Sequence, residues 1–132
     1  MRARKVSRFA QDQAGAAAVE FALVCIPLII LLFGIGAAGM MFYTNAALHW
    51  AVEKSARTAA MQSGATQNQI STEINTYLGS LGVSNAAVSF TVAPGVVPIA
   101  HITATMSKTY TIPFMAPMQI NFSADTYAPQ GS

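Results

Sequence analysis

The carboxylate of Glu20 is the side chain in this sequence that most needs a chemical explanation. It stands between a basic leader and an apolar stretch, and no side chain from Phe21 to Tyr43 carries a charge. A charge drawn into the hydrocarbon of a membrane costs about 2.5 to 3.5 kcal/mol on insertion scales, so such residues are usually paired and functional. Glu20 is therefore the first candidate functional residue.

The other titratable side chains show no pattern typical of catalysis or metal binding. His49 and His101 are far apart in the chain, and neither has a second ligand at metal-site spacing. The later carboxylates are isolated from one another, whereas acid–base catalysis needs convergent groups; they are Glu53, Glu73 and Asp125. Gly-rich phosphate loops and nucleophile elbows are also missing from the sequence. We predict a protein that is not an enzyme and needs no cofactor.

The composition predicts one membrane segment and one small domain. The chain has 132 residues, of which 9% are charged, and its mean hydropathy is +0.43. At about 1.5 Å per residue, a helix over the uncharged run covers the roughly 30 Å hydrocarbon core. Cys25, the single cysteine, falls inside this run and is interpreted as a small packing residue.

The distribution of charge predicts the orientation in the membrane. Four of the seven cations precede the apolar run: Arg2, Arg4, Lys5 and Arg8. The positive-inside bias then keeps the N-terminus cytoplasmic. The near-neutral remainder offers no basic face for nucleic acid. We predict a basic cytoplasmic leader (1–15), a transmembrane helix (16–44) and an extracytoplasmic α+β domain (45–132).

A single helix is predicted from Ala16 to Gln62, since no helix breaker follows the apolar run before Ser63-Gly64. Its second half is amphipathic, because small and apolar residues recur at spacings of three and four: Ala47, Leu48, Ala51, Val52, Ser55, Ala59 and Ala60.

Pro27 and three glycines mark special positions in the apolar half. Pro27 leaves one helical hydrogen bond unmade and predicts a kink. Gly34, Gly36 and Gly39 allow another helix to approach closely, although Pro and Gly are common in membrane helices in any case. Past this run, the aromatic rings of Phe42, Tyr43 and Trp50 suit either the lipid headgroup level or packing against the domain.

The rest of the sequence predicts a short helix and a sheet. Thr66 and Gln69 form a capping-box pattern that begins a helix over 67–81. Beyond Ser84 apolar residues recur at every second position, which is typical of strands. This alternation occurs in three segments, around 86–92, 99–112 and 118–124. We therefore predict an α+β fold, in which a small antiparallel sheet of about three strands is covered on its apolar face by the amphipathic helices.

Two cleavage hypotheses compete for the leader. An ordinary signal peptide would be cut near Gly36-Ala37-Ala38, but the apolar run continues to Tyr43 and passes into the amphipathic helix without a break. Cleavage between Gly15 and Ala16 would instead leave Glu20 as the fifth residue of the mature chain and Phe21 as the sixth.

The second hypothesis rests on a resemblance. The junction Gly15-Ala16-Ala17-Ala18-Val19-Glu20-Phe21 resembles the prepilin peptidase site of type IV pilins. With Pro27-Leu28, Phe33-Gly34 and the segment from Asn45 to Arg57, the sequence is more closely similar to the TadE-like family of the tight adherence (Flp) pilus systems.

This resemblance implies a minor pilin-like (pseudopilin) protein in the bacterial inner membrane that helps to assemble a pilus. Its implied partners are a prepilin peptidase, other pilus or pilin-like subunits and the assembly platform. A desolvated Glu20 carboxylate is tolerable if a cation pairs with it, and the free amine of Ala16, in the same chain or a neighbour, is the expected cation. The rival hypothesis is a membrane-tethered binding module unrelated to pili.

Overall fold

The protein consists of two helices followed by three strands, in a computed structural model that describes residues 13–62 and 64–129. The elements are α1 (Gln13–Met61), α2 (Gln67–Ser80), β1 (Ala87–Ala93), β2 (Ile99–Tyr110) and β3 (Met118–Pro129). This architecture confirms the α+β prediction. The four cations of the leader and residue Ser63 lie outside the described residues.

Helix α1 has two halves that differ in burial. It is a single helix of 49 residues that passes through Pro27, and its length is about 73 Å at 1.5 Å per residue. No residue from Gly15 to Tyr43 is buried, whereas Thr44 is 1% exposed. From Thr44 onward one face of α1 belongs to the core of the domain.

The buried face of the second half is the one that the apolar spacing predicts. Its fully or nearly buried members are Ala47, Leu48, Ala51, Val52, Ser55, Ala56 and Ala59. Because most of these side chains are small, the helix backbone approaches its neighbours closely. Helix α1 packs on β3, on β2 and on α2.

Helix α2 has defined signals at both ends. At its start the Gln69 side-chain oxygen accepts hydrogen bonds from the Thr66 backbone N–H at 3.0 Å and the Thr66 hydroxyl at 3.1 Å, as in the predicted capping box. At its end the Val83 N–H donates to the Leu78 carbonyl at 2.9 Å around Gly82, whose φ is 69°. This is the Schellman arrangement, which favours glycine. The buried side of α2 consists of Ile70, Ile74 and Leu78.

The three strands form an antiparallel meander in the order β1-β2-β3. The register pairs Val88 with Ala104 and Ala104 with Ala124, which aligns apolar positions of all three strands on one face. That face lies against the helices, and its buried members are Ala100, Ile102, Ala104, Met106, Tyr110, Phe122, Ala124 and Ala128. The opposite face is mostly polar, as in a sheet with one solvated side.

Candidate functional site

Residues 15–43 of α1, here called the membrane segment, form an uncovered apolar rod. Phe21 is 70% exposed and Leu32 is 67% exposed. An 18-residue window of α1 has a mean hydropathy of 2.7, and none of it is buried within the chain. Length and composition therefore suit a membrane crossing, and the lack of burial distinguishes the segment from the core helix of a soluble domain.

The predicted cleavage and pairing residues lie together at the head of this segment. The Gly15–Ala16 bond is in the first turn of α1, and Ala16, Glu20 and Phe21 are exposed. Ala16 and Glu20 are four residues apart, so they occupy neighbouring positions on one side of the helix. Within the part of the chain that the structure describes, Glu20 takes part in no salt bridge. The pairing of Glu20 with an amine stays a prediction.

The three glycines do not share a single face of the helix. At about 100° per residue, Gly36 and Gly39 are neighbours, while Gly34 lies nearly opposite Gly36. A Cβ added at any of them meets no atom within 4 Å, apart from the adjacent residues and the nearby backbone of the same helix. Gly36 itself lines a groove with Ile112. Packing of these glycines against a partner helix stays a prediction. The kink at Pro27 stays a prediction.

The aromatic residues beyond the membrane segment mainly contact the domain. The Tyr43 hydroxyl donates to the Leu81 carbonyl at 2.9 Å. The Trp50 and Tyr77 rings meet edge to face at 5.5 Å. Phe42, by contrast, is 75% exposed. For Tyr43 and Trp50 the packing alternative is therefore favoured.

A polar cluster joins α1 to α2 beside Trp50. Glu73 Oε1 accepts a hydrogen bond from the Thr58 hydroxyl at 2.9 Å and from the Tyr77 hydroxyl at 2.8 Å. The Tyr77 hydrogen bond to Glu73, partial desolvation and the nearby negative charge raise the pKa of Tyr77 above its usual value. Tyr77 therefore keeps its proton at neutral pH, and the cluster acts as a structural tie.

The polar face of the sheet brings together residues that looked isolated in the sequence. His101 stacks on Tyr127 with ring centroids 4.3 Å apart, and its Nε2 lies 3.9 Å from Asp125 Oδ2. The Thr103 hydroxyl is 3.3 Å from the same Nε2. The proximity of His101 and Asp125 was not predicted from the sequence, and it follows from the β2–β3 register, which places them on adjacent rows.

This cluster lacks the geometry of a catalytic relay. A relay needs the carboxylate on one imidazole nitrogen and the nucleophile on the other, but both neighbours approach Nε2. Across residues 13–62 and 64–129, no three His, Cys, Asp or Glu side chains are grouped as metal ligands. The arrangement supports cross-strand packing on an exposed face.

Comparison with known proteins gives one family match. A family model described as TadE-like protein matches residues 15–57, about a third of the chain. The match runs from the candidate cleavage glycine through the membrane segment into the buried part of α1, and it confirms the resemblance found in the sequence. No curated protein and no solved structure gives a significant match.

Proposed function

We propose that this protein is a membrane-anchored, minor pilin-like component that helps to assemble a tight adherence (Flp) type IV pilus. One observation carries the proposal: the TadE-like match begins at Gly15, where an uncovered apolar helix starts with a single carboxylate, Glu20. An exposed apolar helix needs either lipid or other helices around it. A pilin-like subunit is surrounded by lipid in the membrane and by the helices of other subunits once it is assembled.

Processing gives Glu20 its partner in this proposal. Hydrolysis of the Gly15–Ala16 bond by a prepilin peptidase leaves a carboxylate on the leader and a protonated amine on Ala16. That amine, from the same chain or a neighbour, pairs with Glu20 and offsets the cost of desolvating the carboxylate. Because the pair occupies one level of the helix, it fixes the axial register between subunits, while Phe21 packs beside it.

The proposed location is the bacterial inner membrane, crossed once with the N-terminus in the cytoplasm. Residues 1–15 are the cytoplasmic leader, 16–44 the transmembrane helix and 45–132 the extracytoplasmic domain. The partners are the prepilin peptidase, the assembly platform and other pilus subunits. Removal of an ordinary signal peptide at Gly36–Ala38 is disfavoured, because α1 continues through these residues into the core.

Substitution of Glu20 tests the assembly role. Glu20→Gln removes the charge at similar size, so we expect normal insertion in the membrane but loss of the protein from sheared pilus fractions and reduced piliation. Glu53→Gln is the matched control, since Glu53 is an exposed carboxylate on the same helix outside the membrane segment. Normal piliation with Glu20→Gln contradicts the proposal. A wild-type chain that stays wholly in the membrane favours the tethered binding module.

The dependence on processing is tested separately. Intact-mass analysis of the membrane-extracted protein should show a chain that begins at Ala16. Gly15→Leu should block cleavage, and Glu20→Gln should then have no additional effect, because its partner amine is never formed. Additive losses from the two substitutions would mean that Glu20 acts without the Ala16 amine.

A further inference from the structure

The connection between β2 and β3, residues 111–117, is an apolar loop with a large exposed tip. The sequence from Thr109 to Ala124 contains no charged side chain. Phe114 is 84% exposed and Met115 is 54% exposed. Two neighbouring large apolar side chains make this tip a candidate contact surface. Its place beside the membrane segment distinguishes it from the turn at Val96, which is also exposed.

The loop lies beside the membrane segment of α1. A groove between them is lined by Phe33 and Met40 on the helix and by Ile112 and Pro113 on the loop. Just above this groove the hydroxyls of Thr44 and Tyr110 are 3.2 Å apart, which ties the end of β2 to α1. The loop is thus held at the level of residues 32–40 of α1.

The upper end of this level, at Met40, coincides with the expected edge of the hydrocarbon. A membrane core needs about 20 helical residues. Counted from Phe21, which follows the charge of Glu20, that length ends at Met40. The loop therefore reaches the height at which α1 leaves the hydrocarbon on the side of the domain.

The backbone at Phe114 has a conformation that usually belongs to glycine. The Met115 N–H donates to the Ile112 carbonyl at 3.1 Å, so Pro113 and Phe114 are the central residues of a turn. Phe114 has a φ of 67°. Proline followed by a residue of positive φ is the pattern of a type II turn, in which glycine is favoured at the second position. A phenylalanine is strained there, so its ring requires a reason other than the turn.

We propose that the β2–β3 loop is a second membrane anchor, whose occupant is the phospholipid bilayer that α1 crosses. Phe114 and Met115 enter the interfacial layer of the leaflet on the side of the domain. Lys108, whose Nζ lies 5.8 Å from the Tyr110 ring, is near enough to the loop to meet lipid phosphates. The proposal rests on α1 spanning a bilayer and does not depend on pilus assembly.

Tryptophan fluorescence in lipid bilayers tests this anchor. The full chain with Trp50→Phe has no tryptophan, and Phe114→Trp or Met115→Trp then reports on the loop. In vesicles of anionic phospholipid whose acyl chains are brominated near the headgroup, we expect blue-shifted emission and loss of most of its intensity. Chains brominated near the methyl end should quench less, because the loop enters only the interface.

Two reference positions make the result decisive. Leu31→Trp, in the membrane segment, should be quenched by the deeper bromines. Val96→Trp, in the fully exposed turn at the far end of the 12-residue β2, should stay red-shifted and unquenched.

If the bromolipids quench a tryptophan in the loop no more than the tryptophan of Val96→Trp, the anchor proposal is wrong. The membrane span of α1 is unaffected by that result. A blue shift without bromine quenching means that protein, such as a second copy, covers the loop, and it also overturns the proposal. If Leu31→Trp is unquenched, the span and the anchor fail together.

Discussion

Two buried hydroxyls on α1 differ in whether they have hydrogen-bond partners. The Thr44 hydroxyl donates to the Met40 carbonyl at 2.8 Å and meets the Tyr110 hydroxyl at 3.2 Å. Ser55 is fully buried, yet its Oγ has no partner. A buried polar group contributes stability only when it is paired, and it costs free energy when it is not.

We therefore expect opposite effects from removing these hydroxyls. Thr44→Val keeps the shape but leaves the Tyr110 hydroxyl without its partner, and it should lower the free energy of unfolding by about 1 to 2 kcal/mol. Ser55→Ala removes an unpaired group and should be neutral or slightly stabilising. The thermal unfolding midpoint of the detergent-solubilised protein measures both. A large loss with Ser55→Ala would show that its hydroxyl has a partner after all.

At the residue scale Glu20 could be identified from the sequence alone, because a charge at the head of an apolar run is anomalous whatever the fold. Phe114 could not be identified in this way, because neither exposure nor a positive φ is visible in a sequence. The pairing of His101 with Asp125 was missed for a related reason. Only the antiparallel register, which places Tyr127 opposite His101, brings these distant positions together.

Most side chains of the membrane segment are exposed, and those that contact the domain, such as Met41 and Tyr43, lie near its end. Glycines in such a helix lower its intrinsic stability relative to other residues. A glycine is useful where a second helix packs closely, and the open space around Gly34 and Gly39 fits this use.

Bulky substitutions at these glycines should separate folding from association. Gly34→Leu and Gly39→Leu should leave the unfolding midpoint of the detergent-solubilised protein unchanged or higher, while they reduce crosslinking to other subunits in the membrane. Gly79→Leu, an equally open glycine on α2, is the control and should leave crosslinking unchanged. Unchanged crosslinking in both α1 variants would show that the membrane helices do not pack through these positions.

The helices and strands were predictable because each carries its own periodicity. The face of α1 around Leu48 and Val52 followed from spacings of three and four, and the alternation in β2 followed from spacings of two. The ends of the strands were harder to predict. Strand β3 continues to Pro129, beyond the predicted Ala124. There the buried Ala128 pairs with Ala100, a contact between distant residues that no local pattern reveals.

For the whole molecule, the central fact is that α1 serves both the membrane and the domain. Its second half contributes Leu48 and Val52 to the same core as Ile74 and Ile102. Full burial of a Leu or Ile side chain stabilises by about 1.5 to 3 kcal/mol, so a domain of this size cannot lose this helix and remain folded.

Truncation tests this dependence. A fragment of residues 40–132 keeps both hydrogen bonds of the Thr44 hydroxyl and should unfold cooperatively on heating. A fragment of residues 45–132 lacks Thr44 and should have a lower midpoint, while residues 64–132 should show no cooperative transition. Circular dichroism at increasing temperature distinguishes the three. A cooperative transition in 64–132 would mean that α2 and the sheet are sufficient for the core.

The continuity of α1 also fixes how the domain is rotated about the helix axis relative to the start of the membrane segment. No hinge loop separates Glu20 from Thr44. The number of residues between them therefore sets the angle, measured around the axis of α1, between the Glu20 side chain and the sheet. One residue more or fewer changes that angle by about 100°. If subunits align through Glu20 as proposed, the number of residues in the membrane segment decides which side of the domain faces a neighbour, so its length sets an orientation as well as a span.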